Sequence, residues 1–312
     1  MPDNQQCNCN CSTGSSIPCV CLPLANLCLP NQGCGPDCLD RDAVQQMIDE
    51  ALQNQPACTG CRTKVNDHMH IYINGNLTES GDGLTPETAV RSYDDAVLAL
   101  ARYDGNNLYN AFFHFADLDS LDARYPDMAV RPQHYSTFAY MNIHGNSHET
   151  TKFENIRMWV GSYATITNLS CRRIDSAQCC TNIHGKLTIE PRSDDYCIYA
   201  WCSAYIALNA EIYITAPSNV TQKAVFYCIQ SSLITLNSNT IINISGNITV
   251  NHGTAYTHSC GVLSSSATFN LAGTVTGNRY KATSNSCINA GNNANHFPGT
   301  VAGTTATGGV YY

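Results

Sequence analysis

The fold of this 312-residue chain can be predicted from two short stretches: residues 205–209 (YIALN) and residues 233–237 (LITLN). They share the motif Ile-x-Leu-Asn and lie 28 residues apart. Apolar side chains at alternate positions are typical of a strand with one buried face. Such a strand cannot bury its apolar face alone. Its recurrence along the chain therefore predicts a solenoid in which stacked coils share one core.

Further short segments with the same alternation follow one another from about residue 138. They cover residues 140–143, 164–167, 186–189, 240–244 and 268–271. The last of these, which begins Thr268-Phe269-Asn270, repeats the theme of residues 233–237 again further along the chain. Asparagine at the corners of a solenoid tolerates left-handed backbone and can form ladders of amide hydrogen bonds. A β-sandwich is the structural alternative.

The composition supports a β structure and excludes two classes of function. Beyond Glu211 the chain has no Asp or Glu, and Asn, Ser, Thr and Gly dominate, which favours short strands and polar turns over helices. The net charge is -8 and no basic stripe is present, which excludes a nucleic-acid binder driven by phosphate contacts. No apolar run reaches the ~20 residues that a membrane-spanning helix needs.

The segment 1–62 is a separate, cysteine-rich block. A short helix is predicted over residues 40–53, packed on copies of itself, on a partner or on its own chain. We expect disulfides here, between chains or to a partner protein, with a zinc site or free thiols as alternatives. The ten cysteines of the block are Cys7, Cys9, Cys11, Cys19, Cys21, Cys28, Cys34, Cys38, Cys58 and Cys61.

Two further features could involve metal or sulfur. His68 and His70 would point to the same face of a strand, as a pair of metal ligands does, so a structural metal ion is an alternative to the expectation of no cofactor. Eight later cysteines are spread along the predicted coils, as small core residues or as bridges between coils. Among them, the adjacent Cys179 and Cys180 should point to opposite faces.

Residues 70–100 follow a different order: a strand at 71–73, a Gly-Asp-Gly loop, and a helix. Thr85-Pro86-Glu87 is predicted to begin the helix, because proline and an acidic residue favour the first helical turn. Val90, Tyr93, Ala96, Val97 and Leu100 then keep a helical period.

The segment IYINGNLTESGDGLTPETAVRSYDDAVLAL resembles the entry module of phage tail fibre and tailspike proteins. The ending Phe297-Pro298-Gly299, with Thr307-Gly308-Gly309 before Tyr311, is similar to a C-terminal signature of such proteins. The resemblance implies a right-handed parallel β-helix, a homotrimer and a location on the virion. It also implies an N-terminal part that grips the particle. The implied organisation is an attachment segment (1–62), a strand-loop-helix cap (63–137), a β-helix (138–290) and a C-terminal tip (291–312).

Many tailspikes cleave polysaccharide, and hydrolysis of a glycosidic bond needs two carboxylates. Glu190, Asp194 and Asp195 form the local carboxylate cluster in the predicted coils. They are candidates for catalysis or ligand contact, and the alternative is a solvated loop. The chain is short for a depolymerase, which favours adhesion without cleavage.

Aromatic residues provide candidate glycan contacts, because their faces stack on sugar rings. The candidates are Tyr196, Tyr199, Trp201 and Tyr205, and the alternative is that they enter the core and the trimer interface. We therefore expect a virion appendage that recognises a host-surface glycan and contacts other tail or neck proteins through residues 1–62. A structural virion decoration locked by disulfides and a polysaccharide depolymerase are the alternative functions.

Overall fold

Parallel strands dominate the structure, which is a computed structural model and describes residues 62–312 apart from 132–133, 135–136 and 160. Strands make up 52% of the described residues and helix 4%, and the parallel sheets form a β-solenoid of about 7 coils. The predicted mainly β solenoid is therefore confirmed. The N-terminal cysteines and the predicted helix 40–53 lie outside the described residues.

The described elements run as follows. The strands are β1 (Thr63–Lys64), β2 (Met69–Ile73), β3 (Tyr103–Asp104), β4 (Ala111–Phe115), β5 (Met128–Val130), β6 (Met141–Gly145), β7 (Asn155–Met158), β8 (Tyr163–Cys171), β9 (Arg173–Ala177), β10 (Cys180–Ile189), β11 (Tyr196–Trp201), β12 (Tyr205–Thr215), β13 (Val220–Ile229), β14 (Leu233–Leu236), β15 (Ile241–Ser245), β16 (Asn247–His258), β17 (Val262–Ser265), β18 (Thr268–Leu271), β19 (Thr274–Gly277), β20 (Tyr280–Thr283), β21 (Cys287–Asn289), β22 (Thr304–Ala306) and β23 (Val310–Tyr311). The helix α1 is Tyr93–Leu100, between β2 and β3.

Two long sheets run along the solenoid. The first sheet has 12 strands in the order β2-β4-β6-β8-β10-β12-β14-β17-β21-β23, with β15 and β18 beside this path. The second sheet has 9 strands in the order β22-β20-β16-β13-β11-β9-β7-β5, with β19 beside β16. Neighbouring strands of both sheets pair in parallel, for example β10 with β12 and β13 with β16. A β-sandwich is built from antiparallel sheets, so this alternative is excluded.

The repeat read from the sequence matches the register in one place and differs in another. Ile206 pairs with Ile234, as the 28-residue spacing predicts. The segment 268–271 does not continue that column, because β18 stacks on β15 with Thr268 opposite Ile241. The next strand above β14 is β17, where Leu263 pairs with Ile234. The third copy of the repeat was therefore placed one strand too late, because Leu263-Ser264-Ser265 lacks the terminal asparagine.

The core consists of columns of aliphatic side chains, one from each coil. Strand β12 alternates regularly, with its apolar residues buried and its polar ones outside. Ile212 is fully buried, and it pairs with Leu187 on one side and Ile242 on the other. Stacking of this kind buries the apolar face that a single coil would leave exposed.

The helix begins later than the sequence predicts. Residues 85–87 do not begin it, and Val90 forms a parallel bridge with Ile73 instead. The Asp82 carboxylate accepts hydrogen bonds from the Thr88 hydroxyl (2.6 Å) and from the Leu84 amide (3.0 Å), which holds the loop as a turn. Ser92 is the N-cap of α1, since its hydroxyl accepts from the Asp95 amide at 3.1 Å.

Left-handed residue pairs recur at one corner of the solenoid. They are Cys202-Ser203, Gln230-Ser231, Ser259-Cys260 and Ser284-Asn285, all with φ between 50° and 64°. Each pair donates a backbone hydrogen bond to the next coil, as Ser203 does to Gln230. The predicted asparagine ladder lies elsewhere: the Asn270 amide donates to Asn243, whose own amide donates to Glu211.

The described cysteines are free thiols, so the alternative of bridges between coils is wrong for them. They are Cys171, Cys179, Cys180, Cys197, Cys202, Cys228, Cys260 and Cys287. Cys179 is buried and donates to the Met158 carbonyl, whereas Cys180 is half-buried, as expected for opposite faces. Burial raises the pKa of the Cys171 thiol to about 12, so this group is an inert core residue.

Among the described residues, no helix is long and apolar enough to cross a membrane.

Candidate functional site

Three tyrosines form a stack on the outer face of the second sheet. Tyr199, Tyr227 and Tyr256 occupy the same register position on β11, β13 and β16. Their ring centroids are 5.1 and 4.7 Å apart, and neighbouring planes differ by 9° and 10°. We call these three residues the tyrosine ladder. Parallel strands bring identical side chains to the spacing at which aromatic rings stack, so the ladder follows from the register.

Other side chains extend this aromatic face. Tyr196 stacks on Tyr227 with centroids 4.5 Å apart. The ammonium groups of Lys223 and Lys281 lie over Tyr196 and Tyr256, at 5.3 and 5.5 Å from the ring centroids. Burial, followed by the neighbouring tyrosines, raises the pKa of Tyr227, so its hydroxyl stays a hydrogen-bond donor. The face therefore presents hydroxyl groups and ammonium groups at the edges of stacked rings.

A small pocket lies at one end of this face. Its volume is about 140 Å³, and it is lined by Arg157, Met158, Trp159, Arg173, Asp175, Ala177 and Trp201. We call it the tryptophan pocket, because Trp159 and Trp201 are both of the tryptophans in the protein. Their rings lie edge to face with centroids 6.1 Å apart. Ala177, on the strand between them, is small enough to leave room for this approach.

Charged residues form the floor of the tryptophan pocket. Asp175 is 9% exposed, and its Oδ2 accepts from Arg173 Nη2 at 2.6 Å and lies 3.8 Å from Arg157 Nε. Each arginine has a second carboxylate: Arg173 pairs with Asp195 at 2.6 Å, and Arg157 with Asp127 at 2.8 Å. Within the described part of the chain, Asp175 Oδ1 is buried and has no hydrogen-bond partner.

The pKa of Asp175 reflects this environment. Burial raises it above the ordinary value of 3.8, although Arg173 and Arg157 lower it. The two arginines therefore do not fully compensate for the desolvation of the carboxylate. A carboxylate that lines a pocket and is buried at a cost in free energy is a candidate for ligand binding.

The structure brings together three of the four predicted glycan contacts. Tyr196, Tyr199 and Trp201 lie on β11 and face the site. Tyr205 does not, because it begins β12 in the first sheet, where it pairs with Cys180 and Leu233. A chain that turns a corner between residues 201 and 205 separates neighbours in sequence, so a cluster in sequence is not a cluster in space.

Sequence reasoning missed the rest of the site. The 28-residue repeat, applied to Tyr199, leads to Tyr227, and one further coil leads to Tyr256. The repeat therefore predicts the tyrosine ladder, but the sequence prediction was not extended to these two residues. Trp159 and Asp175 had no such signal, because β7 and β9 are separated by a shorter coil with a different spacing.

The predicted carboxylate cluster is engaged in other contacts. Glu190 forms ion pairs with Arg124 and with Lys152, the latter at 3.3 Å. Asp195 pairs with Arg173, and Asp194 is an exposed residue with φ of 61°. The side chains of Glu190 and Asp195 thus form ion pairs with neighbouring cations, which favours a structural role over catalysis.

The predicted histidine pair is found on one face of the first sheet. His68 and His70 both contact the ring of Phe112, with centroids 5.5 and 4.9 Å away. His68 Nδ1 accepts from the Asn110 amide, and His70 Nδ1 is 2.9 Å from His114 Nε2. In the described ranges of the chain, no group of three or more His, Cys, Asp or Glu has an arrangement that could hold a metal ion.

Another cavity lies next to these histidines. It has a volume of about 490 Å³, and its lining includes Tyr72, His114, Asp117, His144 and Asn146. Burial, followed by the charges of His144 and His70, lowers the pKa of His114 to about 4. His114 is therefore a neutral imidazole at pH 7. The Asp117 carboxylate accepts hydrogen bonds from the Thr151 hydroxyl at 2.6 Å and from the Asn146 side-chain amide at 2.7 Å.

Comparisons with known protein families, with curated proteins and with solved structures find no match for this chain.

Proposed function

We propose that the protein is a bacteriophage appendage whose solenoid recognises a glycan on the host surface without cleaving it. The observation that carries this proposal is the outer face of the second sheet, where the tyrosine ladder meets the tryptophan pocket. Aromatic faces and edges with nearby hydrogen-bonding groups are what carbohydrate recognition requires. The resemblance of residues 70–100 and of the C-terminal signature to tail fibre proteins supports the virion assignment.

The two parts of this face would contribute differently to binding. Rings of the tyrosine ladder stack on one another, so they offer mainly their edges and hydroxyl groups to a ligand. The indoles of Trp159 and Trp201 lie at the end of the face and line an open pocket, where a sugar ring could contact an aromatic surface. A polysaccharide that runs along the second sheet would meet both parts.

Adhesion without cleavage is favoured over hydrolysis by the positions of the carboxylates. A glycosidase needs one carboxylic acid and one free carboxylate across the scissile bond. Glu190 and Asp195 are instead neutralised by Arg124 and Arg173. Asp175 lies in the tryptophan pocket, yet it also has arginine partners.

Residues 1–62 would attach the appendage to other virion proteins, and the whole would be a homotrimer. The ten cysteines of this segment also support a second function, a structural decoration of the neck, collar or capsid fixed by disulfides. Binding of purified protein to isolated tails or to isolated necks distinguishes the two locations.

Affinity electrophoresis tests the proposed function. The purified protein migrates through gels that contain lipopolysaccharide, capsular polysaccharide or teichoic acid from candidate host bacteria. We expect retardation by at least one polysaccharide, with no release of reducing ends on incubation. Release of reducing ends would support a depolymerase instead, and unaltered migration in all gels would contradict glycan recognition.

A further inference from the structure

We infer that the tryptophan pocket binds a single uncharged pyranose ring, whose hydroxyl groups donate to the Asp175 carboxylate. This inference rests on the proposed function, and it names the class of sugar and the residue that recognises it. The nearest charged groups, the size of the pocket and the unpaired oxygen each support it.

The charge of the pocket disfavours an acidic sugar. Arg157 and Arg173 are the cations at the floor, and both are already paired with carboxylates. The carboxylates that neutralise them are three in number: Asp127, Asp175 and Asp195. An anionic sugar would have to displace one of these ion pairs and would meet the remaining negative charge, whereas an uncharged ring would not.

The size of the pocket limits the ligand to one ring. Its volume of about 140 Å³ lies below the roughly 300–1,000 Å³ of sites for drug-sized ligands. Trp159 and Trp201 line it together with Ala177, so an apolar wall stands beside a polar floor. A pyranose has the corresponding surfaces, since its C–H groups contact aromatic rings while its hydroxyl groups contact polar side chains.

The Asp175 carboxylate is the recognising group. Asp175 lines the pocket, its side chain is 12% exposed, and its Oδ2 accepts the hydrogen bond from Arg173. Its Oδ1 has no partner among the described residues, and a buried acceptor without one is costly. Hydroxyl groups of a sugar are donors that an ionised carboxylate accepts from strongly. A sugar in the pocket would therefore add a donor to a carboxylate whose hydrogen bonds the protein supplies only in part.

Tryptophan fluorescence tests the inference directly, because both tryptophans of the protein line the pocket. The full-length protein is titrated with neutral oligosaccharides from dextran, mannan and cellulose, and with acidic ones from polygalacturonate and hyaluronan. We expect a saturable change in emission with at least one neutral sugar and none with the acidic sugars. The variant Asp175→Asn keeps the shape of the side chain but loses its charge. We expect this variant to bind the neutral sugar at least about tenfold more weakly than the wild type does.

Glu154→Gln is the matched control. It also removes a carboxylate from an arginine, Arg172, but neither Glu154 nor Arg172 lines the pocket, so binding should stay close to that of the wild type. Equal binding by Asp175→Asn and wild type, or a preference for acidic sugars, would overturn the inference. The inference would also be overturned if a polysaccharide gel retained the protein while no neutral sugar changed the tryptophan emission. In that case the proposed function would stand. Absence of binding in both assays would overturn both.

Discussion

Asp175 occupies a position where binding and stability make opposite demands. Its carboxylate is buried, and its pKa is raised above 3.8, so the folded protein is penalised when the group ionises. Arg173 and Arg157 each keep a second carboxylate partner, so neither would be left unpaired if Asp175 became neutral. The residue is therefore retained at an energetic cost, as is common for groups that bind ligands.

Asp175→Asn should leave the melting temperature at pH 7 unchanged or raise it, because the neutral amide is cheaper to bury than the carboxylate. Arg173→Ala should lower the stability by roughly 3 kcal/mol, since it removes the cation bonded to buried Asp175. Calorimetric scans of both variants measure these effects. A large loss of stability in Asp175→Asn would mean that this carboxylate serves mainly as a structural ion-pair partner.

His114 should make the stability of the solenoid depend on pH. Its pKa is about 4 in the folded protein against 6.5 ordinarily, so the unfolded chain binds more protons between these values. The stability contribution is full above pH 6.5 and is lost as the pH falls toward 4. We expect the melting temperature of His114→Asn to decline less than that of the wild type over this range. Parallel curves would contradict the assignment.

The strands match the sequence prediction closely, and the helix does not. The alternation of apolar and polar residues correctly predicts β12, β14 and β15, because side chains two residues apart in a strand lie on the same face and can be buried together. The start of α1 was missed because Pro86 and Glu87 suit a first helical turn, while the Asp82 hydrogen bonds that hold the loop were invisible in the pattern. Contacts between side chains decided that boundary.

Ile212 tests the strand columns. Ile212→Ala removes a fully buried side chain between Leu187 and Ile242, and it should lower the free energy of unfolding by about 2–5 kcal/mol. The exposed Thr215 ends the same strand, and Thr215→Ala should change stability by less than about 0.5 kcal/mol. Urea unfolding followed by circular dichroism compares the two. A similar small effect of both substitutions would count against the columns as the source of stability.

The solenoid could be predicted from the sequence, but most of the site could not. The repeat in residues 205–237 contains enough information for stacked coils. The tryptophan pocket, however, combines Trp159, which follows β7, with Asp175 on β9 and Trp201 on β11, and the spacing of these strands is irregular. Only the register of the folded chain shows that these residues are neighbours.

The proposed homotrimer is tested by the native mass. Light scattering of the purified protein should give three times the chain mass of 33.9 kDa. If the N-terminal cysteines link the chains, a reductant should convert disulfide-linked species to single chains on a denaturing gel. A mass of one chain in both conditions would remove the trimer and favour a single-chain solenoid.

Substitution of the tyrosine ladder tests whether the outer face of the second sheet recognises a glycan. Affinity electrophoresis compares the wild type with Tyr227→Ala, which interrupts the ladder at its centre, and with Tyr205→Ala on the first sheet. We expect Tyr227→Ala to lose most of the retardation by the bound polysaccharide and Tyr205→Ala to keep it. Equal retardation of all three proteins, or a loss confined to Tyr205→Ala, would contradict the claim.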